Sequence, residues 1–355
     1  MSYSIFHASE RHAAAGDTSQ VKRRIKSLYL FLAIANLVVW LWALISLRGN
    51  SAMIGTALLA YSFGLRHALD ADHIAAIDNV TRRLMQDGSR PVTVGFCFAV
   101  GHSLVVIIAS IAIAAMAKTV TPYLPQLQEY GGLLSSIVST VFLLAIGLIN
   151  IVLLMDIYRA FQRMQYGERM SAEQMPAHNG HFFARLFRPL FGNIHNSWQM
   201  IPLGFLFGLG FETATEVALL STSALQASQG MSFGTILLFP LLFTVGMLTV
   251  DATDGVLMLR VYGWAFVKPF RKLYYNMMLT LTSTLLALVI AAIGVSSLVQ
   301  EYFHLNGTFW ALIQSLHDNY TSLGYVIIGV FTLSWIGSET FYRLKRYDMI
   351  DGSAS

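Results

Sequence analysis

The sequence predicts an all-α, polytopic membrane protein with eight transmembrane helices and both termini cytoplasmic. Three observations predict it. First, hydrophobic residues make up 55% of the 355 residues, charged residues only 12%, and the mean hydropathy is +0.58. An average soluble domain is roughly 25% charged, so a soluble fold of this length could not cover its surface, and the apolar residues must face lipid. Second, the chain contains eight mainly apolar runs near the ~20 residues that a bilayer-spanning helix needs. Third, Lys and Arg alternate between the connections in the pattern of the positive-inside rule. Together these exclude a cytosolic enzyme, a disordered protein and a secreted disulfide scaffold. The single cysteine, Cys97, excludes an intrachain disulfide and a multi-thiolate metal site.

The spans fall near 27–47, 51–81, 92–117, 132–155, 201–226, 232–258, 277–299 and 321–342. The first is too long for a signal peptide, and no small-residue cleavage site follows it. With the N-terminus inside, 20 of the 23 Lys and Arg residues lie on the cytoplasmic side. They sit in the N-terminal tail, after the second span (Arg82, Arg83 and Arg90), between the fourth and fifth spans, after the sixth, and in the C-terminal tail. Only Arg48 and Lys118 fall outside, and Arg66 is the one basic residue within a span. The net charge of +4 and pI of 9.1 are therefore a topology signal and do not point to nucleic acid. This organisation gives a cytoplasmic tail (1–26), a four-span half (27–155), a cytoplasmic linker (156–200), a second four-span half (201–342) and a C-terminal tail (343–355). The linker carries His178, His181 and His195. It is expected to be a connecting segment, with metal capture as the other reading.

Six carboxylates fall well inside the spans: Asp70, Asp72, Glu212, Glu216, Asp251 and Asp254. His67, His73 and His102 join them. Asp78 and Glu339 are placed near span ends, within reach of the interface. An Asp at a helix centre costs ~2.5–3.5 kcal/mol on insertion scales, so six cost roughly 15–20 kcal/mol. Arg66 cannot neutralise six acids. Pairing, protonation, water or a bound cation must compensate.

The densest cluster is Arg66-His67-Ala68-Leu69-Asp70-Ala71-Asp72-His73. At about 100° per residue, His67, Asp70 and His73 form one stripe of a regular helix, and Asp72 points about 140° away from His67. Two imidazoles and a carboxylate on one stripe make a partial metal site. Nitrogen-rich sites suit nickel, cobalt and zinc, whereas magnesium and calcium prefer oxygen alone. His102, in Gly101-His102-Ser103, supplies a possible third imidazole from the third span. In the fifth span Glu212 and Glu216 share a face, and Gly204, Gly208 and Gly210 permit close helix approach. In the sixth, Asp251 and Asp254 are three apart and share a face.

At these residues the chain resembles the nickel/cobalt transporter (NiCoT) family of multi-pass permeases. The hallmark is a histidine, four residues, then Asp-His, found here as His67 followed by Asp72-His73. Three further signatures follow in order: Gly101-His102-Ser103, Leu209-Gly210-Phe211-Glu212-Thr213-Ala214-Thr215-Glu216, and Gly246-Met247 through Asp251 to Asp254. The resemblance extends over roughly 27–342. The chain departs from the family pattern at Leu104, at Glu212 where an aspartate is expected, and in the Asp-Ala-Thr-Asp order of the sixth span. The resemblance implies high-affinity uptake of Ni²⁺ and/or Co²⁺ across the cytoplasmic (inner) membrane by a single-component permease, with His67, Asp72 and His73 required.

The expected mechanism is a midplane site exposed alternately to each side. His67, His73 and His102 supply nitrogens, and Asp70 or Asp72 supplies charge. Glu212, Glu216, Asp251 and Asp254 act as supporting partners, path ligands or a proton route. Two geometries accommodate Asp72: a helix unwound near Leu69 to Asp72, or a regular helix in which Asp70 binds and Asp72 supports. The regular helix is the expectation, because Ala68, Leu69 and Ala71 are good helix formers and no Gly or Pro interrupts 65–87. The metal is substrate, and no cofactor is expected. No phosphate-binding loop or HExxH motif is present, so neither ATP hydrolysis nor zinc-protease chemistry is indicated. A membrane di-metal oxygenase needs about eight clustered histidines, against three within these spans. A proton-coupled carrier of organic cations leaves the paired histidines without a role. A carrier for another divalent ion such as Zn²⁺ or Mn²⁺ is the alternative.

Overall fold

The structure, a computed structural model, describes residues 2–86, 88–120, 124–165, 194–209, 219, 230–265 and 269–344. Among the described residues all regular structure is helical. The elements are α1 (Ser2–Ser46), α2 (Ser51–His67), α3 (Ala71–Gln86), α4 (Val94–Val120), α5 (Leu124–Gln165), α6 (Met200–Gly208), α7 (Phe233–Ala265), α8 (Pro269–Phe303), α9 (Thr308–Asp318) and α10 (Tyr320–Leu344). Five segments are long and apolar enough to cross a membrane: Ser19–Ser46, Val94–Ala112, Glu129–Arg163, Phe233–Tyr262 and Tyr274–Phe303. A sixth arises if Thr308–Asp318 and Ser322–Ser338, bent by 79°, form one broken span.

The burial pattern is that of a lipid-facing bundle. Leu30, Ile34, Val38 and Ile45 of α1 and Leu285 and Val289 of α8 lie exposed on the outside. His67, Asp70, His73, Asp78, Arg82 and Asp251 are each at most 3% exposed. An intramembrane charge that faces inward avoids hydrocarbon and finds partners.

The central element is α7, which packs against α1, α2, α3, α4 and α8. Glycine decides how closely it does so. A Cβ on Gly64 of α2 would collide with the Phe243 carbonyl, and one on Gly246 of α7 would stand 2.7 Å from the Tyr61 carbonyl. The two backbones therefore touch through reciprocal glycines, the small-residue packing that membrane helices use. A second pair joins α4 and α6. Gly101 meets the Ile201 carbonyl, and Gly204 meets the Phe98 carbonyl. Polar side chains add to the apolar contacts, as where Asn36 of α1 donates to Thr249 Oγ1 of α7 at 3.0 Å.

Three expectations change. The second span is not one regular helix. It is α2 and α3, of 17 and 16 residues, separated at Ala68–Asp70. Neither piece alone is long enough to span, and α3 lies buried inside the bundle. Arg82 is therefore no loop residue: it is a buried residue of α3, 1% exposed, whereas Arg66, expected within the span, is exposed. Asp78 does not reach the interface either, being 1% exposed. The fifth expected span begins as α6, and most of the rest of it lies outside the described residues.

Candidate metal site

The break between α2 and α3 builds the site. The last turn of α2 tightens, with Leu69 N–H donating to the Arg66 carbonyl at 3.0 Å and Asp70 N–H to the His67 carbonyl at 2.9 Å. Such i→i+3 bonds satisfy helix-end carbonyls without continuing the helix. Asp70 then caps α3, its carbonyl accepting from Ile74 N–H at 3.2 Å. Asp72 sits in the first turn, where its Oδ1 accepts from His73 N–H at 3.0 Å. An acid there complements the positive end of the helix dipole. From α10, Gly324 lies against the Leu69 carbonyl so closely that a Cβ would collide with it. The regular-helix expectation fails because Asp72 takes a backbone N–H in the first turn of α3 and Gly324 seats against the Leu69 carbonyl. The Asp-Ala-Asp spacing carries that signal, since it reads as a cap followed by a first-turn acid.

Breaking the helix turns His67 and His73 toward one another, with ring centroids 4.7 Å apart. His102, from α4, completes a near-equilateral triangle at 4.8 Å from each. His67 Nε2 lies 2.9 Å from His102 Nε2. One ring nitrogen from each of the three can be chosen so that all lie within 4.8 Å of one another. Phe98 and Phe243 pack on this triangle and close it from the sides.

Two carboxylates orient the rings. Asp70 Oδ2 is 2.9 Å from His67 Nδ1, and Asp251 Oδ2 is 3.3 Å from His73 Nδ1. A proton on His73 Nδ1 satisfies Asp251 and leaves the Nε2 lone pair free, the arrangement common around metal-binding histidines, while Asp70 meets His67 Nδ1 at ion-pair distance. His73 Nε2 and Asp251 Oδ1 are buried and have no hydrogen-bond partner among the described residues. Two nitrogens bound about 2.1 Å from one ion stand about 3.0–3.4 Å apart. The His67–His102 pair is already near that spacing, and His73 needs a small inward turn. Chemically, the group offers three imidazole nitrogens, a carboxylate oxygen and a compensating negative charge in a buried interior.

The nine expected residues divide accordingly. His67, Asp70, His73, His102 and Asp251 are brought together. Asp72 stands beside them, partly buried and within electrostatic range of Asp70, His67 and His73. Asp254 is one turn beyond Asp251 and lines an adjoining cavity. Glu212 and Glu216 lie outside the described residues, as do His178 and His181. His195 is exposed, in the turn that leads into α6, where its N–H donates to Gln199 Oε1 at 2.7 Å.

Sequence reasoning missed a second polar group on α3. Asp78 accepts from the Tyr262 hydroxyl and from Ser283 Oγ. Arg82 donates to Thr280 Oγ1 and Asn79 Oδ1, and Asn150 donates to that same Asn79 oxygen. The available signal was Asp78 and Arg82 at i, i+4 in a stretch that also carries the apolar Ile74 to Ile77 and Val80.

Comparison with known proteins gives the family. The profile of the family described as "High-affinity nickel-transport protein" matches residues 53–341. The "High-affinity nickel transport protein" of Cupriavidus necator is 49% identical over 333 residues, covering 93% of this chain and 95% of that protein. The "High-affinity nickel-transport protein NixA" of Helicobacter pylori 26695 is 40% identical over 326 residues, covering 89% and 96%. The "Cobalt transport protein NhlF" of Rhodococcus rhodochrous is 36% identical over 344 residues, covering 94% and 96%. No solved structure matches. With its apolar helices, its buried imidazoles and a match over most of its length, this chain is a multi-pass membrane protein that belongs to the high-affinity nickel-transport protein family, a family of transporters and not of enzymes.

Proposed function

We propose that this chain takes up Ni²⁺ and/or Co²⁺ across the cytoplasmic membrane as a single-component secondary permease. The observation that carries this is the triangle of buried imidazoles, His67, His73 and His102, with Asp70 and Asp251 behind two of them. Borderline divalent ions prefer such nitrogen donors to the all-oxygen shells of Mg²⁺ and Ca²⁺. The dipositive ion offsets the buried carboxylates, and the carboxylates hold each imidazole in its binding tautomer. The names of the relatives, nickel for most and cobalt for one, support the same substrates.

The first coordination sphere is His67, His73 and His102 with one carboxylate. Asp251 is the best placed to give it, through its unpartnered Oδ1, and Asp70 orients His67. Asp72 holds the first turn of α3 through the His73 N–H and adds charge. Asp254, Glu212 and Glu216 serve the path to and from the site. The topology is eight spans with both termini cytoplasmic, the second and eighth spans broken, and the 156–200 segment a cytoplasmic linker between two four-span halves. The basic residues support this arrangement through their one-sided distribution. A broken helix whose ends meet at the bilayer midplane suits alternating access, because its termini bind the ion without a continuous helix having to move.

Zn²⁺ is the second reading, since three imidazoles and a carboxylate suit it equally. Mn²⁺, which favours oxygen donors, is the weaker form of that alternative. Whole-cell uptake of radiolabelled Ni²⁺ in competition with Co²⁺, Zn²⁺ and Mn²⁺ tests the function. Saturable uptake blocked by Co²⁺ but not by Mn²⁺ is expected. Uptake indifferent to Co²⁺ and abolished by Zn²⁺ would give the site to zinc.

A further inference from the structure

At the basic end of the bundle an open cavity of about 490 Å³ separates α1 from the start of α4. Its size is within the roughly 300–1,000 Å³ of small-molecule sites. None of the metal-site residues lines it. The gap exists because α1 packs mainly against α7. Its two walls carry the same order of chemistry. On α1, Arg24, Ser27, Leu28 and Phe31 lie at i, i+3, i+4 and i+7, one face of a helix. They pass from charge through hydroxyl to apolar ring over about 10 Å. The other wall repeats that order in Arg90, Thr93 and Phe96. Phe31 and Phe96 meet edge to face at the deep end, with ring centroids 5.7 Å apart.

The charged end is built for an anion. Thr93 precedes α4, and its carbonyl accepts from Cys97 N–H at 2.9 Å, so the first turn of this 27-residue helix starts at the cavity wall. The N–H groups of a first turn have no partner inside their helix, and they carry the positive end of its dipole. Two guanidiniums stand at the same end, and among the described residues no carboxylate lines the cavity. Ser197, in the turn before α6, adds a third hydroxyl. Its neighbour Trp198 is 60% exposed, as aromatic anchors at a membrane surface are. Lys22, Arg23 and Lys26 flank Arg24 in the chain, a juxtamembrane basic cluster of the kind that attracts anionic lipid.

We propose that this cavity binds an anionic phospholipid of the cytoplasmic leaflet. Arg24, Arg90 and the first turn of α4 take the phosphate. The hydroxyls of Ser27, Thr93 and Ser197 stand at the level of the glycerol esters, and Phe31 and Phe96 receive the start of an acyl chain. A free phosphate ion would use only the charged end and leave the aromatic end wet, so the gradient along both walls selects an amphiphile. The bound lipid ties α1 to α4 and to the turn before α6. Its place in the cytoplasmic leaflet rests on the topology proposed above, whereas binding itself does not. An N-terminus found outside would move the site to the other leaflet, and an assay in detergent is blind to that difference.

The test uses the full chain purified in detergent, with dioctanoyl phosphatidylglycerol as the probe and thermal unfolding as the readout. Dioctanoyl phosphatidylcholine has the same chains without net charge, and glycerol phosphate has the anion without chains. Phosphatidylglycerol is expected to act saturably and to raise the melting temperature by at least about 2 °C, with neither control matching it. Arg24→Gln combined with Arg90→Gln should weaken the lipid at least about tenfold. Both residues are exposed, so the fold tolerates their loss. Lys22→Gln combined with Arg23→Gln removes two charges that do not line the cavity, and affinity should stay within about threefold of wild type. Ser27→Trp fills the cavity with both arginines in place and should abolish binding. Equal action of phosphatidylcholine, wild-type affinity in the Arg24/Arg90 variant, or an equal loss in the Lys22/Arg23 variant would overturn the proposal. Glycerol phosphate acting as strongly as the lipid would overturn it too, in favour of a soluble anion.

Discussion

His67 and His102 face each other through their Nε2 atoms at 2.9 Å, although 35 residues separate them in the chain. One ends α2, and the other lies near the middle of the membrane-spanning part of α4. Such a pair of buried imidazoles has little to gain from a single shared proton. A cation between them, with His73 as third donor, uses both lone pairs. Alanine at His67 or His73 should therefore abolish Ni²⁺ uptake at matched membrane levels, and His102→Ala should do the same. Near-normal accumulation in any of the three would remove that residue from the site.

Asp70 and Asp251 make the next prediction. Each carboxylate faces the Nδ1 of a different imidazole, at 2.9 and 3.3 Å. Asparagine in either place keeps the shape but loses the charge and allows the wrong tautomer. Loss of such a supporting partner costs about 10–100-fold in metal affinity. Titration of purified Asp70→Asn and Asp251→Asn with Ni²⁺ should show losses in that range. Asp72→Asn should retain more affinity than Asp70→Asn, because Asp72 Oδ1 is spent on the His73 backbone N–H. The reverse order would make Asp72 the direct ligand.

Glycine packing gives a stability prediction. Gly64→Ala places a methyl group against the Phe243 carbonyl, where there is no room. Overpacking of this kind costs about 1–3 kcal/mol, and here it would also push His67 away from Phe243. Gly55, on the same helix, meets nothing within 4 Å. Thermal unfolding followed by size-exclusion chromatography should show Gly64→Ala destabilised and Gly55→Ala unchanged or improved. Equal melting of the two would mean that α2 and α7 do not touch as described.

Topology is tested with reporters. A fusion after Ser353 should read cytoplasmic, and one in the connection at residues 304–307, between α8 and the broken eighth span, should read external. An external C-terminus would make the number of spans odd.

The 156–200 linker provides the last test. Replacing His178 and His181 by alanine should leave maximal Ni²⁺ transport within about twofold of wild type, since intramembrane donors already supply the site. A loss as deep as that of His67→Ala would make the linker a metal-capturing segment.

The sequence by itself determined the class, the family signature and most of the candidate donors. Hydropathy is a running average over neighbours, so long apolar runs such as 27–47 and 277–299 were legible wherever lipid-facing residues dominate. The spacing of His67, Asp72 and His73 was legible as well, because a signature is written along the chain. Only the tertiary structure decided that the second span breaks at Ala68–Asp70. Helix propensity favours continuity there by only tenths of a kcal/mol per residue, less than the first-turn hydrogen bond of Asp72 and the close seat of Gly324 on the Leu69 carbonyl supply. The structure alone also paired Asp251 with His73 and buried Asp78 and Arg82. In the sequence Arg82 reads as one more positive charge at a membrane edge. Its burial comes from α3 turning into the bundle, where Asn79 of the same helix and Thr280, 198 residues away, reach its Nη atoms. Contacts at such separations leave no periodic trace in the chain, because the partners are chosen by the packing of helices and not by their own neighbours.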